Sequence, residues 1–130
     1  MTLTRAVGLA FLLSLGGCLA TTNPESPGET GNLYEDLPAA EGMKLEKPPY
    51  GHASPSGTVR DYQYFYSGTR KLETVKAFYE GALPKHDWKH VSSEGSDPAV
   101  LTFEKRAERV VVTLKNAGDL LKVHVHVRGK

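Results

Sequence analysis

The two histidines nearest the C-terminus have a spacing that suits metal binding. His124 and His126 are two residues apart in a segment that alternates apolar and polar residues, so on a strand their rings share one face, with backbones about 7 Å apart. Such a pair can ligate Zn²⁺ or Cu²⁺ when further ligands converge, and His86 and His90 are the candidates. The competing interpretation places the pair on the solvated side of a half-buried strand. The chain has no compact motif of histidines and carboxylates, so we favour that interpretation and expect no cofactor.

Three tyrosines form a second candidate site. Tyr62, Tyr64 and Tyr66 alternate within a segment rich in strand-forming residues, so a strand places all three on one face. A row of aromatic rings can stack a sugar or a peptide. The alternative is packing across strands, with the hydroxyl groups reaching the rim of the sheet. We favour packing and keep the ligand platform as the minor interpretation.

The serines and acids offer no recognisable catalytic group. Ser92 and Ser93 lie at the end of an expected strand and lack the glycines of a nucleophile elbow. Asp and Glu residues are scattered, so no general acid and base can be paired. A dense Lys/Arg run with interleaved aromatics, typical of nucleic-acid binding, is also missing. The sequence therefore predicts a protein that is not an enzyme and does not bind nucleic acid.

The only cysteine stands at the end of an N-terminal leader. A basic residue, Arg5, precedes the apolar residues 6–15, and two small residues come before Cys18. This pattern is typical of a secretory signal, and its apolar part is shorter than the roughly 20 residues that span a bilayer. A single cysteine in an exported protein cannot form an intramolecular disulfide and needs another role.

The residues around Cys18 indicate that role. Leu15-Gly16-Gly17-Cys18 resembles the bacterial lipobox. The resemblance implies that a diacylglycerol is attached to the cysteine sulfur, that cleavage removes residues 1–17, and that the new amine is acylated, commonly with palmitate. Two or three acyl chains hold a protein stably on a membrane. Leu19 rather than Asp follows the cysteine, which by the same resemblance implies the outer membrane, facing the periplasm.

Composition divides the remaining chain into a tether and a domain. Residues 18–50 contain six acids and two bases, a net charge of −4, whereas residues 51–130 contain nine acids and thirteen bases, a net charge of +4. The Pro-, Gly- and Thr-rich start of the first part favours a flexible linker. We expect a linker over residues 18–54, with a partly ordered segment at 33–50, and a compact domain over residues 55–130.

Hydrophobic periodicity predicts the elements of this domain. Alternating patterns predict five strands, at residues 58–67, 88–94, 100–105, 109–115 and 121–128. Between the first two, apolar residues recur at helical spacing from Leu72 to Leu83, and Pro84 ends the helix. The predicted order is β-α-β-β-β-β. The expected fold class is therefore α+β, an antiparallel sheet of about five strands with one amphipathic helix packed on one face.

A series of short motifs occurs in a characteristic order along the mature chain. They are Leu37-Pro38, Glu41-Gly42-Met43, Tyr66-Ser67-Gly68, Val75-Lys76-Ala77-Phe78-Tyr79, Pro84 with Asp87-Trp88, and Leu101-Thr102-Phe103-Glu104-Lys105. Together they resemble a group of small bacterial lipoprotein domains of uncharacterised function. The resemblance implies lipid anchoring and an α+β domain, and it carries no catalytic residues. Asp87 stands where the pattern has Gly.

These patterns lead to one main functional expectation. We expect a non-enzymatic binding or structural module of the cell envelope, held on the membrane by a lipid on Cys18, with an envelope protein or polymer as partner. One alternative is a small-ligand protein that holds a sugar or an apolar molecule between helix and sheet. The other alternative is a metal-binding envelope protein. Nothing in the sequence indicates the oligomeric state.

Overall fold

The computed structural model describes residues 34–130. Within this range an antiparallel sheet packs against one α-helix, which confirms the predicted α+β class. The elements in chain order are β1 Lys44–Leu45, β2 Tyr50–Ala53, β3 Arg60–Gly68, α1 Leu72–Ala82, a 3₁₀ turn Leu83–His86, β4 Lys89–Glu94, β5 Ala99–Lys105, β6 Glu108–Ala117 and β7 Leu120–Gly129.

The expected count of five strands was wrong, because the sheet has seven. Its order is β1-β3-β7-β6-β5-β4. Both β1 and β2 pair with the outer edge of β3, β1 with residues 66–67 and β2 with residues 60–63. The two unexpected strands are two and four residues long and lie in a Pro-rich segment, so they have no run of alternation to detect. The five predicted strands are β3 to β7, with ends that differ from the prediction by at most two residues.

Strands β6 and β7 form the centre of the sheet. They pair over their whole length, from Glu108 opposite Gly129 to Ala117 opposite Leu120. The two-residue turn that joins them contains Gly118 at φ +62°, a conformation that glycine adopts without a steric penalty. This hairpin fixes which side chains of β6 and β7 share a face.

Helix α1 ends as the sequence predicts, and the turn after it explains an unusual residue. Pro84 lies in the 3₁₀ turn directly after the helix, where its missing N–H removes no bond of the α-helix. Asp87 follows at φ +66°, in the left-handed region. Asp tolerates that region better than most side chains, and this is the position where the lipoprotein-domain pattern that the sequence resembles has Gly. The turn brings Trp88 into the core.

The core lies between α1 and one face of the sheet. The helix contributes Leu72, Val75 and Tyr79, and the sheet contributes alternate residues of β3, β5, β6 and β7. Trp88 is 1 % exposed, and its indole N–H donates to the backbone oxygen of Asp36 at 2.9 Å. The buried apolar residues contributed by β5, β6 and β7 are Ala99, Leu101, Phe103, Val110, Val112, Leu114, Leu121, Val123, Val125 and Val127.

The segment before residue 55 contributes to the same core. Leu37, Ala40 and Met43 are each 3 % exposed and belong to the buried cluster. Residues 34–53 therefore pack with residues 55–130 as part of one folded unit. Residues 1–33, with the expected leader, Cys18 and the start of the linker, lie outside the described residues. Among residues 34–130, no helix is long and apolar enough to cross a bilayer.

Candidate functional site

The face of the sheet opposite α1 carries the candidate site, and we refer to it as the open face. Side chains paired across antiparallel strands share a face, so the residues between the core positions of β3, β7, β6 and β5 point away from the helix. In the described part of the chain, no helix covers them. The open face consists of Asp61, Gln63, Phe65, Ser67, Lys122, His124, His126, Arg128, Arg109, Val111, Thr113, Lys115, Val100, Thr102 and Glu104.

The two histidines occupy the centre of the open face, on β7. Their ring centroids are 6.0 Å apart. Each ring is held by a neighbour on β3: His124 Nε2 lies 2.9 Å from Gln63 Oε1, and His126 Nε2 lies 2.8 Å from Asp61 Oδ1. Both acceptors are oxygens, so the Nε2 atoms donate. The pair is thus oriented by hydrogen bonds rather than left as free surface rings.

The two further ligands suggested by the sequence, His86 and His90, do not converge on this pair. His90 pairs with Phe103 in the sheet register, which places it on the helix side, where its Nε2 lies 2.8 Å from Ser93 Oγ. His86 ends the 3₁₀ turn, and its backbone oxygen accepts from Lys105 Nζ. No group of three or more metal-ligating side chains occurs among residues 34–130. The structure therefore places His124 and His126 together without the further ligands that a metal site needs.

An aromatic stack borders the histidines on the β3 side. Phe65 stacks on His124 at 4.4 Å between centroids and on Tyr50 of β2 at 5.9 Å. Lys47 Nζ lies 4.4 Å from the centroid of Phe65, a cation–π distance. Both faces of Phe65 are occupied by other rings, so the stack supports His124 rather than offering a bare ring to a ligand.

The surroundings of His124 disfavour its charged form. Burial lowers the pKa of its imidazole, and His126 and Lys47 lower it further. Because Nε2 donates to Gln63, Nδ1 of the neutral ring is left as an acceptor.

Like charges face each other at both ends of the β6–β7 hairpin on the open face. Arg109 is directly opposite Arg128, and Lys115 is directly opposite Lys122. Like charges opposite one another on a sheet destabilise it. One member of each pair forms an ion pair with an acidic side chain: Arg109 binds Glu104, and Lys122 contacts the Glu46 carboxylate.

The other member of each pair has no acid. Within residues 34–130, Lys115 and Arg128 form no ion pair, and both are exposed. Each end of the hairpin therefore carries one surplus positive charge.

A shallow depression of about 310 Å³ lies at the lysine end of this strip. Phe65 and His124 form one side, Thr113 the other, and Lys115, Lys122 and Glu46 close the end. It combines an apolar wall, a hydroxyl group, a neutral imidazole and two ammonium groups. Such a lining can accept a polar molecule that carries both hydroxyl and anionic groups.

The tyrosines predicted as a possible ligand platform lie on the opposite face. Tyr64 and Tyr66 are 1 % and 2 % exposed in the core, and Tyr62 packs on the ring of Tyr34. The structure therefore places them in the packing role that the sequence favoured. Phe65 lies on the open face instead, and Tyr50 of β2 stacks beside it. Alternation with the tyrosines already assigns Phe65 to that side, whereas the position of Tyr50 depends on β2 pairing with β3.

A contact between a serine and a histidine on the helix side falls short of a catalytic arrangement. His90 Nε2 is 2.8 Å from Ser93 Oγ, but the nearby Glu80 carboxylate accepts from the serine and not from the histidine. A nucleophile relay needs the acid on the far nitrogen of the histidine, where it orients the ring. The contact therefore supplies no activated nucleophile, and Ser92 has its side chain on the other face, opposite Thr102.

A buried ion cluster holds the start of the described chain against the sheet. Arg60 binds Asp36 and Glu108 with four side-chain bonds of 2.8–2.9 Å, and Lys105 Nζ donates to Asp36 at 2.8 Å. Burial by itself raises the pKa of Asp36, but these donors outweigh it and lower the pKa to about 2. The cluster therefore fixes the point at which the preceding chain enters the domain.

The chain matches no protein-family model, no curated protein and no solved structure. The likeness to small bacterial lipoprotein domains therefore rests on the sequence motifs alone.

Proposed function

We propose that this protein is a lipoprotein of the bacterial cell envelope that binds an envelope partner without catalysis. Cys18 carries the lipid after removal of residues 1–17, and Leu19 directs the protein to the outer membrane, facing the periplasm. The leader, the lipobox pattern and the single cysteine support this address. The ion cluster around Asp36 supports it too, because a clamped entry point suits a domain held by its N-terminal side.

The open face is the binding surface in this proposal. The observation that carries it is the surplus positive charge at both ends of the β6–β7 hairpin, on a face that no described helix covers. Opposite charges on neighbouring strands stabilise a sheet, whereas like charges directly opposite one another destabilise it. Here a partner, and not the fold, supplies the missing negative charge.

A ligand between helix and sheet is the weaker proposal. Val75 and Tyr79 of α1 are each 1 % exposed, and Leu101 of β5 on the same core face is 0 % exposed. Side chains so completely buried pack against each other and leave little room for a guest. The metal-binding alternative has two oriented histidines and needs ligands from outside the described residues.

Site-specific photo-crosslinking in intact cells tests the open face directly. A photoreactive residue at Thr113 lies in the depression, and the matched control at Ala77 lies on the exposed side of α1. The proposal predicts a defined crosslinked product from position 113 and none from position 77. Equal products from both positions, or none from position 113 in cells that hold the protein in the membrane, would contradict it.

A further inference from the structure

The like-charge pairs on β6 and β7 indicate the chemistry of the partner. This inference rests on the proposed function. We infer that the open face binds an extended acidic glycan, with carboxylate groups at the two ends of the hairpin and sugar hydroxyls between them. The site is the strip of four cross-strand pairs in which Lys115 faces Lys122, Thr113 faces His124, Val111 faces His126 and Arg109 faces Arg128.

The spacing of the charges sets the size of the ligand. From Lys115 to Arg109 the strand advances six residues, which is about 20 Å at roughly 3.4 Å per residue. A single small anion reaches one surplus cation only. An extended polymer that bears repeated negative charges reaches both Lys115 and Arg128 at once, and each contact raises the effective concentration of the next.

The groups between the charges set the chemistry of the ligand. Thr113 offers a hydroxyl group, and His124 offers Nδ1 as an acceptor because its Nε2 is committed to Gln63. Three acids border the strip and each contacts one of its residues: Asp61 accepts from His126, Glu104 binds Arg109 and Glu46 binds Lys122. A neutral acceptor and a hydroxyl group between two cations match a polymer that has hydroxyl groups between its anionic groups.

Other polyanions fit this strip less well. A peptide that adds a strand needs a sheet edge with unpaired backbone groups, and an acidic peptide recognised by clustered arginines needs several arginines without acidic partners. In the strip Arg109 is bound to Glu104, which leaves Arg128 alone. The strip lies on β6 and β7, whose backbones are paired with neighbours on both sides, so it offers side chains only. An acidic glycan is the polymer that these features favour.

Reversing the two surplus charges separates binding from folding. In Lys115→Glu/Arg128→Glu, each like-charge pair on the sheet becomes an opposite-charge pair, so the variant should be at least as stable as the native chain. The matched control is Lys71→Glu/Lys85→Glu, which makes the same change of net charge at exposed lysines that flank α1.

The experiment measures binding of the lipidated full-length mature protein, in mild detergent, to polygalacturonate. Neutral dextran and poly-L-glutamate serve as comparison polymers, and urea unfolding of each variant is measured alongside. We expect the open-face variant to lose about tenfold or more in affinity for polygalacturonate, and the control less than about twofold. We also expect weaker binding of poly-L-glutamate and none of dextran.

Three results would overturn the inference. They are equal losses in the open-face variant and the control, equal affinity for poly-L-glutamate and polygalacturonate, and no binding of polygalacturonate by the native protein. If the native protein does not bind polygalacturonate, the crosslink from position 113 still tests whether the open face binds a partner. A protein captured there, with no glycan binding, refutes the glycan and retains the proposed binding face.

Discussion

Asp36 shows how one residue can hold a whole segment in place. Its carboxylate accepts hydrogen bonds from Arg60 and Lys105, and its backbone oxygen accepts one from the indole N–H of Trp88. None of these partners is near it in sequence, since they lie 24 to 69 residues away. Sequence patterns therefore give no sign of this cluster, which arises only when the ends of β3 and β5 meet the chain before β1.

Replacing this carboxylate by an amide should be strongly destabilising. Asp36→Asn leaves Arg60 and Lys105 without part of their negative partner in a partly buried site, and we expect a loss of about 3 kcal/mol in the free energy of unfolding. Urea unfolding at pH 7 measures it. The control is Glu35→Gln, because Glu35 is exposed and adjacent. Equal midpoints for the two variants would show that the cluster contributes nothing specific.

The acid stability of the protein should follow the same residue. The pKa of Asp36 lies below its usual value, so the stability from this group is complete above about pH 4 and is lost as pH falls towards 2. The native chain should therefore lose stability in this window, and Asp36→Asn should lose less. Urea midpoints between pH 5 and 2.5 for both proteins give the comparison. Parallel curves would contradict the lowered pKa.

At Tyr64, in contrast to Asp36, we expect a substitution to increase the stability of the protein. Its hydroxyl group is buried and has no hydrogen-bond partner among the described residues, whereas the hydroxyl of Tyr79 is hydrogen-bonded to the backbone of Ala40. An unsatisfied buried hydroxyl costs stability, so Tyr64→Phe should stabilise the protein by about 1 kcal/mol and Tyr79→Phe should destabilise it by about the same amount. Thermal unfolding of the two variants tests the pair. A loss of stability in Tyr64→Phe would reveal a missing partner for its hydroxyl.

His124 should make the open face sensitive to mild acid. Its pKa is lowered in the folded protein, so the unfolded chain binds a proton first, and the stability present above about pH 6.5 falls as pH drops through the lowered pKa. His124→Gln should reduce this loss between pH 7.5 and 5.5 in urea unfolding. The control, His52→Gln, changes an exposed histidine on β2. Identical pH curves for the native chain and His124→Gln would contradict the shift.

Elements with long alternating or helical patterns could be predicted from the sequence, and short ones could not. β7 alternates buried and solvated residues over ten positions, so its existence and its open face both follow from the sequence. β1 and β2 have two and four residues, and β2 is exposed throughout. They form because β3 offers an unpaired edge. Their formation therefore depends on pairing with a distant part of the chain and not on their own sequence.

Truncation from the N-terminal side should show how much these early residues contribute. The reference is a soluble chain that begins at residue 34. A chain that begins at residue 54 loses Leu37, Ala40 and Met43 from the core together with Asp36, so we expect a loss of more than about 4 kcal/mol, close to the whole stability of a small domain. Urea unfolding of the two chains measures it. Equal stability of both chains would show that residues 34–53 contribute nothing to the core.

At the scale of the whole molecule, the sheet separates two functions. One face packs on α1 and makes the core, and the other carries oriented histidines, an aromatic stack and the surplus cations. Alternation in β7 assigns His124 and His126 to the solvated side, so the position of the site could be predicted. Its charge pattern could not, because the opposition of Arg109 to Arg128 and the pairing of Lys122 with Glu46 depend on register and on a residue 76 positions away.

Intact mass spectrometry of the protein purified from cell membranes tests the central proposal, that this domain is held in the envelope by a lipid on Cys18. We predict a chain that begins at Cys18 and carries the added mass of a diacylglycerol and an amide-linked acyl group. Cys18→Ser should leave residues 1–17 attached and add no lipid mass. A native product that retains Met1 and an unmodified sulfur at Cys18 would contradict the anchoring and the envelope role proposed from it.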